Sequence, residues 1–255
     1  SMWNLNNLKA FLSNVDIKED FIIIHSDVIG LAFPKFELQK LWKIIFDIFG
    51  QDKTYIFPTF SFNNQKKNIW SYNETKSETG ILSEYIRTEI SSLRTIHPIH
   101  SVCVFGKNKN KLPINYCSSS FGKNSLWEWA CNSKNVCNLS LGLELDGGAT
   151  FCHYAEEYCK VPYRKFIDLK YTIKNKNNKI IKKKFKYFAR DYDYHKEVIN
   201  DWDRIQKILI KEKLLKIYKN NNPKYQILKM NTFKVSNFLI NDIKKNHDFL
   251  INAKI

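Results

Sequence analysis

The sequence has no apolar run long enough to cross a bilayer. The longest near its start, Phe21 to Ile24, falls far short of the roughly 20 residues a spanning helix needs. No apolar h-region or small-residue cleavage site precedes Phe21, so no signal peptide is expected and the chain reads as soluble and cytoplasmic. Six cysteines (Cys103, Cys117, Cys131, Cys137, Cys152, Cys159) include no C-x-x-C pair, and in that setting they are expected to be reduced thiols. His97, His100 and Cys103 fit none of the usual zinc spacings, so no metal site is expected. Internal repeats and low-complexity linkers are also lacking. The chain therefore reads as one unit over 1–255, with a motif-bearing core from Phe21 to Lys165 completed by a hairpin and helical elements over 166–255.

Acidic residues are scarce. Lys and Arg number 41 against 25 Asp and Glu, for a net charge of +16, and the stretch from Lys170 to Arg190 has no acid at all. Such a balance suits an anionic partner: nucleic acid, an acidic membrane surface, or a small molecule carrying phosphates. The lysines of this stretch alternate with apolar residues instead of forming a solid block, which favours a solvated hairpin over a nucleic-acid tail. A basic nucleic-acid-binding module is kept as the remote reading.

What the chain does contain is an α/β pattern. The β-branched run FIIIHSDVIGLAF predicts a buried strand that delivers His25, Ser26 and Asp27 near its end, with Gly30 beyond. A helix is expected over Lys35 to Phe49, with Phe36, Leu38, Leu41, Trp42, Ile45 and Ile48 on one face. A second strand, TYIFPTFSF, stops at Pro58. This β-α-β order predicts a parallel pair, with ligands at the C-terminal ends of the strands. An irregular loop over Asn63 to Thr79 leads to the helical segment GILSEYIRTEI, and RTIHPIHSVCVFG reads as loop and strand. Leu139 to Leu145 is a third strand. A hairpin is expected around Asn175 to Asn178, then a helix from Tyr194 to Leu215, short strands, and a last helix near Val235 to Lys245.

The densest chemistry lies in LDGGATFCHYAEE, Leu145 to Glu157. Thr150, His153 and Glu156 are each three residues apart, a spacing that shares one helical face. Thr150 is expected to cap the first turn. Glu156 is expected to hold a ring nitrogen of His153, which makes that histidine a candidate general base. Cys152 adjoins His153, but neighbours on a helix point apart, so it reads as packing and not as a nucleophile. His97 and His100 flank Pro98 and read as loop supports.

Five pieces stand in a fixed order: IIIHSDVIGL, FPTFSF, ETGILSEYIR, RTIHPIHSVCVFG, and SSFGKNSLWEW running on to LGLELDGGATFCHYAE. Together they resemble the aminoglycoside 3-N-acetyltransferase family, acetyl-CoA-dependent enzymes whose fold is distinct from the GNAT fold. The resemblance implies a mixed sheet flanked by helices. It carries the family's catalytic histidine, threonine and glutamate onto His153, Thr150 and Glu156, and places His25, Ser26, Thr59 and Ser101 along the acetyl-CoA channel. Two positions depart from the family pattern: Asp27 replaces a small hydroxyl, and Asp52-Lys53-Thr54 replaces Gly-Thr. Glu84 and Arg87 are candidates for contacting the acceptor, with a surface ion pair as the default.

Acyl transfer to an amine requires the neutral amine, so a base must take a proton, and histidine, with a reference pKa of about 6.5, suits that task. Backbone N–H groups near Gly147 and Gly148, or the Thr150 hydroxyl, are candidate donors to the oxyanion. The strongly basic chain would repel a polycationic aminoglycoside and attract a phosphate-bearing one. The expected acceptor is therefore a nucleotide-linked, dTDP-type amino sugar for surface-polysaccharide assembly, with antibiotic acetylation as the alternative.

Overall fold

β-Branched and aromatic residues suit a pleated strand buried on both faces. The computed structural model, which describes residues 5–28, 37–62, 67–194, 198–219 and 226–252, puts such a run at its centre. Leu5–Leu12 (α1) precedes Phe21–Ser26 (β1), and Leu38–Phe49 (α2) returns the chain to Thr54–Pro58 (β2). Ile69–Ser71 (β3), Ile81–Tyr85 (α3), Leu93–Arg94 (β4) and Val102–Gly106 (β5) follow. Leu126–Asn132 (α4) leads into Val136–Leu141 (β6), and the short turn Leu145–Gly148 (α5) into His153–Cys159 (α6). Arg164–Lys174 (β7) and Ile180–Arg190 (β8) form the long hairpin. The chain then runs through Ile199–Asn200 (β9), Trp202–Lys211 (α7), Leu215–Tyr218 (β10), Ile227–Asn231 (β11), Thr232–Lys245 (α8) and Ile251–Asn252 (β12).

The main sheet has seven strands in the order β10-β11-β6-β1-β2-β5-β4. β1 pairs in parallel with both β2 and β6, while β5 and β11 run antiparallel to their neighbours, so the sheet is mixed. Successive side chains of a strand point to opposite faces, and β1 divides accordingly. Ile22 and Ile24 join Leu8, Leu12, Leu41, Trp42 and Ile45 in the core under α1 and α2. Phe21 and Ile23 face the larger core, with Trp127, Phe151, Ala155, Leu209, Val235 and Leu239. Because β1, β2 and β6 share a direction, Ser26, Pro58 and Leu141 all end at the same rim of the sheet. The segments that follow them meet there.

A separate three-stranded sheet, β3-β7-β8, carries the lysine-rich stretch. Its hairpin pairs Arg164 with Arg190 and Lys174 with Ile180, and it turns where the Asn175 N–H bonds to the Lys179 carbonyl at 2.9 Å. Trp70, Ile99, Tyr171, Ile173 and Phe185 form a small core beneath it.

Several expected elements shift. The helix foreseen from Tyr194 to Leu215 spans only Trp202–Lys211, because Asp201 caps it by accepting from the Arg204 N–H, β9 precedes it, and Leu215 belongs to a strand. Residues 195–197 lie outside the described residues, as do Gly30, Lys35 and Phe36 of the earlier expectations and residues 63–66 of the expected loop. That loop also holds β3. The third strand ends at Leu141, not Leu145, and the chain turns at Gly142, whose φ is 76°. Among the described residues, no helix is long and apolar enough to cross a membrane.

Candidate active site

From the end of β6 the chain must fold back over the sheet rim, and two glycines make this possible. Gly147 has φ 77°, a conformation glycine adopts without penalty. A Cβ on Gly148 would lie 2.5 Å from the Ser140 hydroxyl. Its absence lets the Gly148 carbonyl accept from both Asn138 Nδ2 at 2.8 Å and Ser140 Oγ at 2.5 Å. Thus tied to β6, the chain runs through a 3₁₀ turn, Thr150–Cys152, directly into α6. No side-chain cap forms at either start, so Thr150 does not cap the helix as expected. Its position at the first residue of the 3₁₀ turn, one past the cap position, explains this, and Thr150 lines a cavity instead.

His153 opens α6. Its ring lies between Phe121, with centroids 5.9 Å apart, and Trp202, which meets it edge-on at 5.4 Å. Nδ1 is in short hydrogen-bond contact with Glu156 Oε1. The second oxygen of Glu156 accepts from the Tyr163 hydroxyl at 2.6 Å, Asn200 Nδ2 at 3.0 Å and Arg164 Nε at 3.2 Å. Burial opposes ionisation of this fully enclosed carboxyl, but the charges of Arg164 and His153 and the hydrogen bonds outweigh it and hold the group well below the usual carboxylate range. Glu156 is thus a fixed anion that orients the imidazole.

A cavity of about 420 Å³ opens beside this pair, lined by His25, His100, Asp146, Thr150, His153 and the rings of Phe60, Phe121 and Trp202, among others. A second, of about 320 Å³, lies against Ser26, Gly80 and Leu143 and shares His25, Thr79 and Gly147 with the first. His25 stands between them. Its Nε2 is buried without a partner, and burial pushes its pKa down to about 4, so the ring is neutral.

The other expected site residues divide. Ser26 lines the second cavity, but Thr59 and Ser101 line neither. Both are fully buried, and their hydroxyls lie 2.9 Å apart. Each also bonds to the other's carbonyl, which fastens the end of β2 to the start of β5. Glu84 and Arg87 pair with each other at 2.5 and 2.9 Å and hold the loop through Ser77 N and the Asn73 carbonyl, away from the cavity. Cys152 is buried and its thiol is pushed well above its ordinary value, which suits packing and not nucleophilic attack. His97 supports the loop: its Nδ1 accepts from the N–H groups of Ile99 at 3.1 Å and His100 at 2.7 Å. Sequence reasoning missed Tyr163, Arg164, Asn200, Phe121 and Trp202. Tyr163-Arg164 shortly after Glu156 was a usable signal, whereas Asn200 and Trp202 offered none.

Glu157, next to the anchor, points the other way. It accepts from Ser119 Oγ at 3.4 Å, its Oε1 is buried without a partner, and burial raises its pKa to about 7. Between 4.5 and about 7 the folded protein therefore binds this proton more tightly than the unfolded chain, so its contribution to stability falls as pH rises through that window. The buried neutral histidines His25 and His97, with pKa values lowered from 6.5 to about 4 and about 3, act in the opposite sense below pH 6.5, across much of the same window. A difference measurement cancels them. Glu157→Gln is expected to gain on the order of 2 kcal/mol relative to the unsubstituted protein between pH 5 and pH 8, read from urea midpoints of both. An equal difference at the two pH values would show that Glu157 titrates normally.

The chain shares its fold with solved structures over nearly its whole length. Sisomicin-bound AAC-VIa matches with a TM-score of 0.79 at 14% identity, covering 97% of this chain and 100% of that one. AAC-IIIb in a binary complex with CoASH matches at 0.76 and 15%, covering 96% and 97%. YokD from Bacillus subtilis matches at 0.72 and 18%, covering 95% and 98%. No curated protein matches the chain. The family model described as aminoglycoside 3-N-acetyltransferase matches residues 23–233.

This description overturns the expected nucleotide-linked acceptor and its place in polysaccharide assembly, and it supports the alternative. The error lay in using whole-chain charge. Lys182, Lys183 and Lys184 of the basic stretch are exposed and do not line the cavity, and solvated charges are screened over roughly 8 Å. The charged groups that do line it are of both signs, Asp146 and Glu156 with Arg164 and Arg190, the last of the basic stretch, so the cavity does not share the strong positive excess of the whole chain. By the span of the family match, which runs from β1 through the site to the start of α8, the chain belongs to the aminoglycoside 3-N-acetyltransferase family.

Proposed function

We propose that the chain is an acetyl-CoA-dependent N-acetyltransferase acting on an amino group of an aminoglycoside-type amino sugar. The observation that carries this reading is the His153–Glu156 pair facing a cavity that adjoins a second one at His25. The two cavities suit two substrates meeting at one imidazole. His153 takes the proton from the attacking amine, and Glu156, fixed by Tyr163, Arg164 and Asn200, keeps the ring aimed and stabilises its charged form. Thr150 lines the same cavity and can donate to the developing oxyanion.

The residues present fit the acyl donor, which supplies the activated acetyl thioester when bound. The unpartnered His25 Nε2 offers a buried polar contact, and Gly80, at φ 113° and with Ser26 O only 3.1 Å from where a Cβ would sit, keeps the second cavity open along its wall. AAC-IIIb, of the same fold, holds CoASH, and AAC-VIa holds sisomicin. Use of a donor made in the cytoplasm supports a cytoplasmic location.

Release of free CoA thiol tests the reading. Thiol is expected only when both acetyl-CoA and an aminoglycoside are present. A protein that binds CoA but releases no thiol with any of a panel of aminoglycosides would overturn the acceptor, and one that fails to bind CoA would overturn the donor.

A further inference from the structure

His100, expected to support its loop, has a ring that lines the same cavity as His153. The ring is held with unusual completeness for a loop residue. Phe60 meets it edge-on at 4.8 Å, Phe62 and Phe121 pack at 5.9 and 5.4 Å, and its own N–H is bound by His97. Nδ1 lies 2.6 Å from the buried Ser120 hydroxyl. Among the described residues that hydroxyl has no other hydrogen-bond partner. If Nδ1 carried the proton, the hydroxyl hydrogen of Ser120 would have no acceptor, and leaving a buried donor unmade is costly. The economical arrangement is the reverse: Ser120 donates to Nδ1 and the proton sits on Nε2. Burial lowers the pKa of His100 well below its ordinary value, and a charge on nearby His153 lowers it further, so the ring stays neutral when His153 gains a proton.

We propose that His100 is a second catalytic imidazole, a hydrogen-bond donor through Nε2–H to the thioester carbonyl oxygen, with Ser120 as the positioning residue that fixes its tautomer. The proposal rests on the acyl-transfer reading above. The amine nitrogen gives its lone pair to the thioester carbon, forming the C–N bond, and the carbonyl π pair moves onto oxygen, where Nε2–H of His100 meets it. His153 takes the proton from nitrogen. When the carbonyl re-forms, the C–S bond breaks, the pair leaves on sulfur, and the proton held by His153 goes to the thiolate. His100 keeps its own proton throughout. One histidine moves the proton while the other holds the charge, and both face one cavity from separate elements. A preorganised donor of this kind is typically worth about 100- to 1,000-fold in kcat.

Two readouts test it. In the free protein, the ¹⁵N imidazole spectrum, with the His100 signals assigned by their loss in His100→Gln, is expected to show Nε2 protonated, Nδ1 bare, and no titration between pH 5.5 and 8. In turnover, His100→Ala is expected to lower kcat by about 100-fold with KM for acetyl-CoA nearly unchanged and the shape of the pH profile kept. His100→Gln, whose amide can donate, should retain more activity, and Ser120→Ala should lose about tenfold. A proton on Nδ1, or a His100 that titrates in that range, overturns the proposal, as does a folded His100→Ala variant with wild-type kcat. If His100→Ala fails to fold, Ser120→Ala and the spectrum decide. If the unsubstituted protein acetylates no amine, the function fails on its own account, and the tautomer still shows whether His100 is a donor.

Discussion

His153→Asn is expected to lower kcat for thiol release by about 100- to 10,000-fold, the usual range for a positioned general base, while the protein stays folded and still binds CoA. Asparagine is the informative replacement because its amide nitrogen can occupy the place of Nδ1 and donate to Glu156, leaving the buried carboxylate with its partners. Only the basic nitrogen facing the cavity is lost. The aromatic walls at Phe121 and Trp202 are untouched, so binding in the cavity should change less than turnover. Near-normal kcat in this variant would remove His153 from the chemistry. A rise in KM with unchanged kcat would make it a binding residue.

What was legible in the sequence was local. The alternating faces of β1 and the apolar face of α2 follow from periods of two and 3.6 residues, and both cores are where those periods place them. The His153–Glu156 contact is likewise a spacing of three on one helix. What was hidden depends on register and long-range pairing. Arg164 opens β7 opposite Arg190, and Asn200 lies in β9 against Ile251, so no window of sequence could show both reaching Glu156. The family resemblance places Thr59 and Ser101 along the cofactor channel, but hydroxyls at strand ends can face a neighbouring strand as well as a ligand, and here the antiparallel pairing of β2 with β5 turns them towards each other. Thr150 illustrates a one-residue error: the cap position falls on Ala149, which has no hydroxyl to offer. The surroundings of His100 are hidden for a similar reason, since its partner Ser120 is 20 residues away.

Glu156→Gln should cost both stability and rate, and the two losses have separate causes. Four groups converge on this fully buried carboxylate, and three of them, the Tyr163 hydroxyl, Asn200 Nδ2 and Arg164 Nε, share a single oxygen. A glutamine retains the volume but offers one acceptor in place of two, and it leaves the largely enclosed Arg164 without a counter-charge. Breaking a buried ion pair in this way costs about 3–5 kcal/mol, a large share of the roughly 5–15 kcal/mol that holds a domain together. The pH dependence gives a sign to check. Because the folded carboxyl lies below its ordinary value of 4.5, its contribution is complete above that pH and is lost as pH falls below it. The variant's deficit against the unsubstituted protein should therefore be largest at neutral pH and shrink in acid, as read from denaturant midpoints at pH 7 and pH 3.5. The rate loss, about 10- to 100-fold, comes from a ring no longer aimed or stabilised as it charges. An Arg164→Met variant tests the division, since it removes the charge while leaving Glu156 in contact with His153. It should lose stability on a similar scale but less of kcat. Equal losses of kcat in the two variants would mean that Glu156 acts only as part of the scaffold.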